Sequence, residues 1–320
     1  MYAAPEVVGR EGCSSAPDKS GRFDRAGSAP EGEVERADRL LPIRIYTLGR
    51  FSVAIDGQPV CSNGKGQQRP FGLLKALIAL GGREVAASRL WECLWPDSEG
   101  DLGVRNLTIT VHRLRRQLRC HAAILQHDGK LSLNDRVCWV DTWHFERLAN
   151  EALHSLEENV QKKDAEPKAR AALALYGGHF LARESEESWM LSLRLRLETR
   201  FERLVAAWSE HLEEHARFGQ SVDVCRAALE QDPLNESLYR RLMSCYLKAG
   251  ELAEVVRMYR RCWEALSKGL GAQPSEETQR LYLEGLQAAA LRTGHAPVHQ
   301  HRHLRAESAA VPEEGDASSG

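Results

Sequence analysis

The chain has 320 residues, which at the usual domain size makes about two domains and excludes a single small module. Hydrophobic residues make up 42% and charged residues 28%, as in globular proteins, which excludes a wholly disordered or collagen-like chain. The 43 basic and 45 acidic residues give a formal charge of −2, so a uniformly basic nucleic-acid binder is also excluded. Any cationic surface must therefore be local.

No segment of the sequence is apolar enough to cross a membrane. The run from Leu73 to Leu80 is interrupted by Lys75 and is far shorter than the roughly 20 residues that span a bilayer. The N-terminus lacks a cationic segment followed by an apolar one, so no secretory signal is visible. We therefore expect a cytoplasmic protein without a membrane partner. The eight cysteines are scattered singly, which predicts reduced thiols.

Composition divides the chain into four segments. Residues 1–40 are rich in Gly, Pro, Ser and charged residues, and residues 291–320 contain no aromatic residue. Such stretches bury too little apolar area to offset their ordering entropy, which predicts a disordered leader and a disordered tail. Between them, the pattern predicts a domain of strands and helices over residues 41–140 and an all-helical domain over residues 141–290.

The first of these two domains has strand, helix and hairpin signals in a fixed order. Apolar residues alternate from Ile43 to Ile55 and are followed by Asp56-Gly57, which predicts a small antiparallel sheet with a tight hairpin. Helical spacing and helix-ending residues then predict three helices, over residues 71–80, 88–95 and 102–120. Asp128-Gly129 lies between two short strand-like runs and predicts a second hairpin.

The second domain reads as stacked helical pairs. From Trp139 to about Ala290 the apolar spacing is helical, and two helix-turn-helix units are predicted to turn at residues 218–220 and 249–251. Their turn glycines are separated by 31 residues, Gly219 to Gly250, close to the tetratricopeptide period of about 34 residues. The spacing therefore favours a tetratricopeptide-like (TPR-like) array.

The third predicted helix of the first domain has one apolar and one cationic face. A step of 100° per residue places Leu107, Val111, Leu114 and Leu118 on one narrow stripe, which we expect to be buried. From Leu102 to His127 the sequence contains five arginines and no carboxylate. The face opposite the apolar stripe presents Arg105, Asn106, Ile109, His112, Arg113 and Arg116.

These residue types suit the major groove of DNA. Arginine can bind guanine O6 and N7 or clamp phosphates, asparagine can pair with adenine, and an exposed isoleucine can contact a thymine methyl group. An arginine-rich helix face taken alone is more often only a solvated surface. The order of a sheet, three helices and a hairpin favours DNA binding, because it is the order of a winged helix, whose third helix enters the major groove.

The residues also carry a family resemblance, which spans about residues 42 to 285. The first domain resembles the OmpR/PhoB-type winged-helix domain of SARP-type transcriptional activators in the segments IRIYTLGRFSVAIDGQPV, RPFGLLKALIALGG, RLWECLWPD and NLTITVHRLRRQL. The second domain resembles the bacterial transcriptional activator domain (BTAD), a TPR-like module, in the segments ALALYGGHFL, ESWMLSLRLRLETRF, LEQDPLNESLYRRLMSCYLKAGELAEVVRMYRRCWEAL and LGAQPSEETQRLY. One departure is Ala86, where such domains commonly have a capping Ser or Thr, and we expect the second helix to begin at Ser88.

The resemblance implies an α+β winged helix-turn-helix domain followed by an all-α TPR-like helical repeat domain. It also implies a regulator that binds double-stranded promoter DNA and activates by contacting RNA polymerase holoenzyme, with the helical domain aiding that contact or forming a homodimer. The predicted base-facing residues are those of the cationic face given above. Arg115, Lys130 and Arg69 are expected to hold the DNA backbone. No enzymatic role, cofactor or metal is assigned.

A second hypothesis is a protein-binding scaffold, in which the helical repeats grip a partner and the winged helix does not bind DNA. The basic, acid-free third helix argues against it, and retention of residues 41–140 on heparin or random duplex discriminates the two. Weaker candidates are a phosphate-binding loop at residues 63–66, a zinc pair at His211 and His215, and a peptide-gripping aromatic set. For these we favour a DNA-phosphate contact by Lys65 or Arg69, a solvated helix, and core packing of Trp189, Trp208, Tyr246 and Trp263. The tail histidines at 295, 299, 301 and 303 are expected to belong to a flexible polar segment.

Overall fold

The computed structural model describes residues 41–60, 68–98, 100–157 and 162–293. The predicted leader, Lys65 with its loop, and the tail histidines lie outside these ranges. The tail boundary predicted at residue 291 falls inside the last helix, which continues to Thr293.

A four-stranded sheet opens the first domain. It consists of β1 (Ile43–Tyr46), β2 (Ser52–Ile55), β3 (Gln58–Pro59) and β7 (Cys138–Val140), in the order β3-β2-β1-β7. The predicted hairpin at Asp56-Gly57 is confirmed, with φ angles of 49° and 77°. The expectation of helices only from Trp139 is wrong, because this residue lies in β7, which pairs in parallel with β1. This pairing joins distant parts of the chain, so local periodicity does not show it.

The helices and the second hairpin complete the winged helix. In chain order they are α1 (Gln68–Ala79), β4 (Val85–Ala86), α2 (Ala87–Leu94), α3 (Gly100–Gln117), a 3-10 turn (His121–Ala123), β5 (Ile124–His127) and β6 (Lys130–Leu133). The last three strands form a sheet in the order β4-β6-β5. The predicted hairpin at Asp128-Gly129 is confirmed, and we call β5, its turn and β6 the wing.

The start of α2 corrects one expectation. The helix begins at Ala87 and not at Ser88, although Ala86 supplies no side-chain cap. The backbone N–H of Ala87 instead donates to the carbonyl of Gly129 in the wing turn, at 2.8 Å. A tertiary contact therefore satisfies one of the donors that an N-cap side chain would satisfy in an isolated helix.

In the ranges that the structure describes, seven helices form the second domain. They are α4 (Asp141–Glu157), α5 (Lys162–Leu175), α6 (Ser188–Glu214), α7 (Phe218–Gln231), α8 (Glu236–Ala249), α9 (Leu252–Leu270) and α10 (Glu276–Thr293). Neighbouring helices pack in sequence, α6 on α7, α7 on α8, α8 on α9 and α9 on α10. The predicted array of stacked helical pairs is present.

One of the two predicted turns is misplaced. Residues 218–220 begin α7, and the chain reverses just before them, where Ala216 has a φ of 57°. The second turn is confirmed, because Gly250 ends α8 in the left-handed conformation with a φ of 76°. The two left-handed residues, Ala216 and Gly250, are separated by 34 positions, which is the TPR period.

The two domains meet at a buried junction. The carboxylate of Asp141, the first residue of α4, accepts hydrogen bonds from the Thr47 N–H at 2.5 Å, the Thr47 hydroxyl at 2.6 Å and the Leu48 N–H at 2.7 Å. Burial raises the pKa of Asp141, and the hydrogen bonds it accepts oppose that rise. The chain after β1 also pairs with the loop before α6, since Gly49 N–H donates to the His179 carbonyl at 2.9 Å. One continuous apolar core therefore runs through both domains.

Two further expectations concern membranes and cysteines. Every helix in the described ranges is too short or too polar to span a bilayer. The six described cysteines are free, as predicted, and burial raises the pKa of Cys138 and Cys262 to about 12. Both of these thiols therefore stay protonated at neutral pH.

Candidate nucleic-acid interface

The apolar stripe of α3 fixes the orientation of the helix. Leu107, Val111 and Leu114 are buried, as predicted, and so is Leu118, although the helix predicted to reach residue 120 ends at Gln117. The helix packs against α1, α2 and the 3-10 turn. Close approach to α2 depends on Gly103, because a Cβ at this position would lie 2.8 Å from the ring of Trp91. The packing therefore sets the direction in which the opposite face of α3 points.

That opposite face lies in solvent. Arg105, His112, Arg113 and Arg116 are exposed, and Ile109 is 42% exposed. A single exposed apolar side chain is common on protein surfaces, so Ile109 is informative only together with the cationic residues around it. Asn106 is half-buried at the edge of this face.

The arginines of the face carry charge that the protein does not neutralise. Arg105, Arg113 and Arg116 form no ion pair with another described residue. The other arginines of the chain are often paired, for example Arg217 with Glu166, an interaction that lowers the pKa of this carboxyl. The α3 face is therefore a concentrated cationic surface on a chain that is slightly acidic as a whole.

The wing is fixed to α3 by Arg115. This guanidinium is half-buried and donates from Nε and Nη2 to the carbonyl of Ile124 at the start of β5, at 3.2 and 2.7 Å. The sequence assigned Arg115 to the DNA backbone, and the structure shows that two of its donors hold the wing. The wing tip is open to solvent, with the His127 imidazole 90% exposed beside Asp128.

The other two residues predicted to contact the DNA backbone lie at the starts of other elements. Lys130 begins β6 and forms an ion pair of 3.6 Å with Glu84, both side chains being at least half exposed. Arg69 is exposed in the first turn of α1. Both side chains are free to reorient, because ion pairs between exposed groups contribute little.

Several exposed residues near α3 were not singled out from the sequence. Arg119 follows the helix with a φ of 51°, and Arg89 is exposed on α2. Leu102 and Val104 are each 54% exposed near the start of α3. Arg119 was visible as part of the arginine run, whereas the exposure of the two apolar residues depends on how α3 packs.

The weaker candidates differ in outcome. Trp208 and Tyr246 are buried in the core as expected, and Trp189 and Trp263 are half-buried. The solvated-helix expectation is wrong for His211, which is buried, and holds for His215, which is exposed; their rings lie 4.5 Å apart. His211 is covered because Glu166 of α5 packs beside it, with Nε2 and Oε1 3.8 Å apart.

Comparisons with known proteins agree with this architecture. Residues 140–286 match the family model of the bacterial transcriptional activator domain. Among solved structures the chain is similar to Mycobacterium tuberculosis EmbR in complex with a low-affinity phosphopeptide, with a TM-score of 0.56 and 19% identity over 79% of this chain and 69% of that chain. No curated protein sequence matches significantly. The structural likeness shows the fold, and together with the family match it confirms the predicted order of a winged helix and a BTAD.

Proposed function

We propose that this chain is a sequence-specific DNA-binding transcriptional regulator that acts as an activator. Its architecture, a winged helix followed by a BTAD, supports this role because it is similar to that of SARP-type activators. In the proposed mechanism α3 lies in the major groove of promoter DNA, the wing contacts the adjacent backbone, and the helical domain contacts RNA polymerase holoenzyme. The observation that carries the DNA-binding role is the exposed cationic face of α3, whose arginines form no ion pair with another described residue.

The side chains of the α3 face are assigned to base edges and to nearby phosphates. We assign Arg105, Arg113 and Arg116 to guanine edges and nearby phosphates, Asn106 to adenine, and Ile109 to a thymine methyl group. His112 lies on the same exposed face and contacts bases or nearby phosphates. Contacts to base edges specify the DNA sequence, whereas contacts to phosphates set the position of the helix.

Residues at the periphery of the winged helix contact the DNA backbone. Lys130 on the wing and Arg69 on α1 are assigned to phosphates, since both are exposed and cationic. Arg115 holds the wing at a fixed distance from α3 through its bonds to Ile124, and it contacts phosphate with its remaining N–H groups. The wing and α3 then approach the duplex as one unit.

The helical domain offers a groove for a protein partner. A cavity of about 820 Å³ lies between α6, α8 and α10, the first helices of the successive pairs, and its walls carry both arginines and glutamates. Arg240 and Arg241 are already paired with glutamates, which favours a partner segment with mixed polar groups over a purely acidic one. We assign this groove to RNA polymerase holoenzyme.

Two experiments test the two contacts separately. Selection from a random duplex pool with the full chain should enrich one motif, and paired half-sites in that motif would indicate two protomers per site. Enrichment of no motif would contradict sequence-specific binding. Replacing the groove residue Arg280 with Glu should reduce capture of RNA polymerase holoenzyme and leave the DNA motif unchanged, whereas Arg260→Glu on α9 should affect neither. Equal capture by Arg280→Glu and the wild type would exclude the groove.

A further inference from the structure

Three side chains from distant parts of the helical domain meet beside the domain junction. They are His179 in the loop between α5 and α6, Glu198 on α6, and Asp232, which follows the last residue of α7. One ligand atom from each lies within 4.8 Å of the others, and His179 Nε2 is 3.5 Å from Asp232 Oδ1. We propose that this cluster binds a divalent first-row metal ion of the Mn²⁺ or Zn²⁺ class.

The donor set indicates this class of ion. One imidazole nitrogen and two carboxylate oxygens form a mixed set that suits borderline divalent ions. Three protein ligands leave further coordination positions for water. A cluster of carboxylates alone would not indicate this class of ion, so the His179 imidazole is the informative ligand.

The two carboxylates lack other cationic partners. Glu198 forms no hydrogen bond or ion pair with another described residue, and Asp232 has His179 as its cationic partner. The nearby acids and bases are mostly paired with one another, Glu184 with Lys75 at 2.7 Å and Glu186 with Arg194 at 3.9 Å. Two carboxylates that share one imidazole leave negative charge, which a divalent cation would neutralise.

The ligands are both held in place and accessible. Asp232 directly follows α7, and its carboxylate is only 10% exposed, so the packing around the end of that helix restricts its orientation. The backbone of His179 is held by the Gly49 N–H. A cavity of about 550 Å³, lined in part by His179 and Glu198, connects the cluster to solvent and provides an entry path.

The position of the cluster predicts a consequence for the domain junction. His179 lies in the segment that pairs with the chain after β1, and Gly178 packs between Gly49 and the end of α7. An ion bound here would connect that segment to α6 and α7. Binding to the folded state should therefore stabilise the junction.

The test has to separate this cluster from other histidines. His211, Glu214 and His215 form a second group with close ligand atoms, but all three lie on one helix and two of them are exposed. The tail also has histidines at 295, 299, 301 and 303. The probe is therefore Mn²⁺, which prefers sites with carboxylates, and the background protein is the full chain with these four tail histidines replaced by Ala.

Electron paramagnetic resonance of a Mn²⁺ titration measures the number and affinity of bound ions. We expect one ion per protomer in the background protein, and affinity weaker by at least about tenfold in Glu198→Gln and His179→Gln. His215→Gln should bind as the background protein does. Excess Mn²⁺ should raise the thermal midpoint of the background protein by about 5 °C and leave that of Glu198→Gln unchanged.

Three results would overturn the proposal. They are the absence of stoichiometric binding, equal binding by Glu198→Gln and the background protein, and a loss of binding confined to His215→Gln. Circular dichroism of each variant checks that it is folded, and the half-exposed Glu198 is the position where an isosteric change perturbs the fold least.

Discussion

The Asp141 carboxylate accepts hydrogen bonds from both the N–H and the hydroxyl of Thr47. Asp141 begins the helical domain, and Thr47 directly follows the first strand of the winged helix. Both residues are fully or almost fully buried, at 2% and 0% exposure. The winged helix is therefore not connected to the helical domain by a loose linker. A buried, hydrogen-bonded contact joins the two domains directly.

Replacing Asp141 with Asn should destabilise the protein by about 2–4 kcal/mol. One oxygen becomes an amide nitrogen, which cannot accept, so two of the buried donors lose their partner. Urea unfolding followed by circular dichroism measures the change. The matched control is Asp135→Asn, which breaks an exposed ion pair of 2.7 Å with Arg83 and should change stability by less than about 0.5 kcal/mol. Equal effects of the two substitutions would show that the junction does not hold the domains together.

Replacing Gly49 with Ala should disrupt the same junction from the other side. The new Cβ would lie 2.4 Å from the carbonyl oxygen of Gly177, and the backbone φ of 83° is itself unfavourable for Ala. We expect a loss of about 2–4 kcal/mol in unfolding free energy. Gly57→Ala is the control, because its φ of 77° is similar but nothing lies near the added Cβ, so it should cost only about 1–2 kcal/mol. A loss no larger than that of the control would mean that the close approach of the two segments is unimportant.

Replacing Gly103 with Ala should change the placement of α3 on α2. The added methyl group meets the Trp91 ring at 2.8 Å, and overpacking of this kind costs about 1–3 kcal/mol. Because α3 carries the proposed base contacts, the affinity of the Gly103→Ala protein for the selected duplex should fall as well. Fluorescence anisotropy measures this affinity. Gly100→Ala adds the same methyl group at the open start of the helix and should leave affinity unchanged. Unchanged affinity in the Gly103 variant would indicate that the orientation of α3 is not critical.

Local signals in the sequence were sufficient for much of the fold. The hairpins at Asp56-Gly57 and Asp128-Gly129, the buried stripe of α3 and the exposure of Ile109 are all properties of short segments, and each was predicted correctly. β7 was missed because its partner, β1, lies at the other end of the domain. The first repeat turn was misplaced because Ala216 adopts a left-handed conformation that sequence rules assign to Gly.

The residues of the candidate sites also differ in whether local sequence signals reveal them. The arginines of the α3 face follow from helical periodicity, so sequence reasoning finds them. The bonds from Arg115 to Ile124 depend on how the wing folds back on α3, and no spacing rule indicates them. The cluster of His179, Glu198 and Asp232 is assembled from three separate segments, so only the folded chain brings its ligand atoms together.

The salt dependence of duplex binding tests the DNA-binding role of α3 most directly. With a duplex selected by the full chain, log affinity should fall against log salt with a slope of about −3 to −4, as expected for about four neutralised phosphates per protomer. Arg113→Ala should weaken binding to this duplex by about 1–3 kcal/mol, whereas Arg260→Ala, at an exposed arginine of the helical domain, should leave it unchanged. A slope near zero, or identical affinities for the wild type and the Arg113 variant, would contradict the assignment of α3 to the major groove.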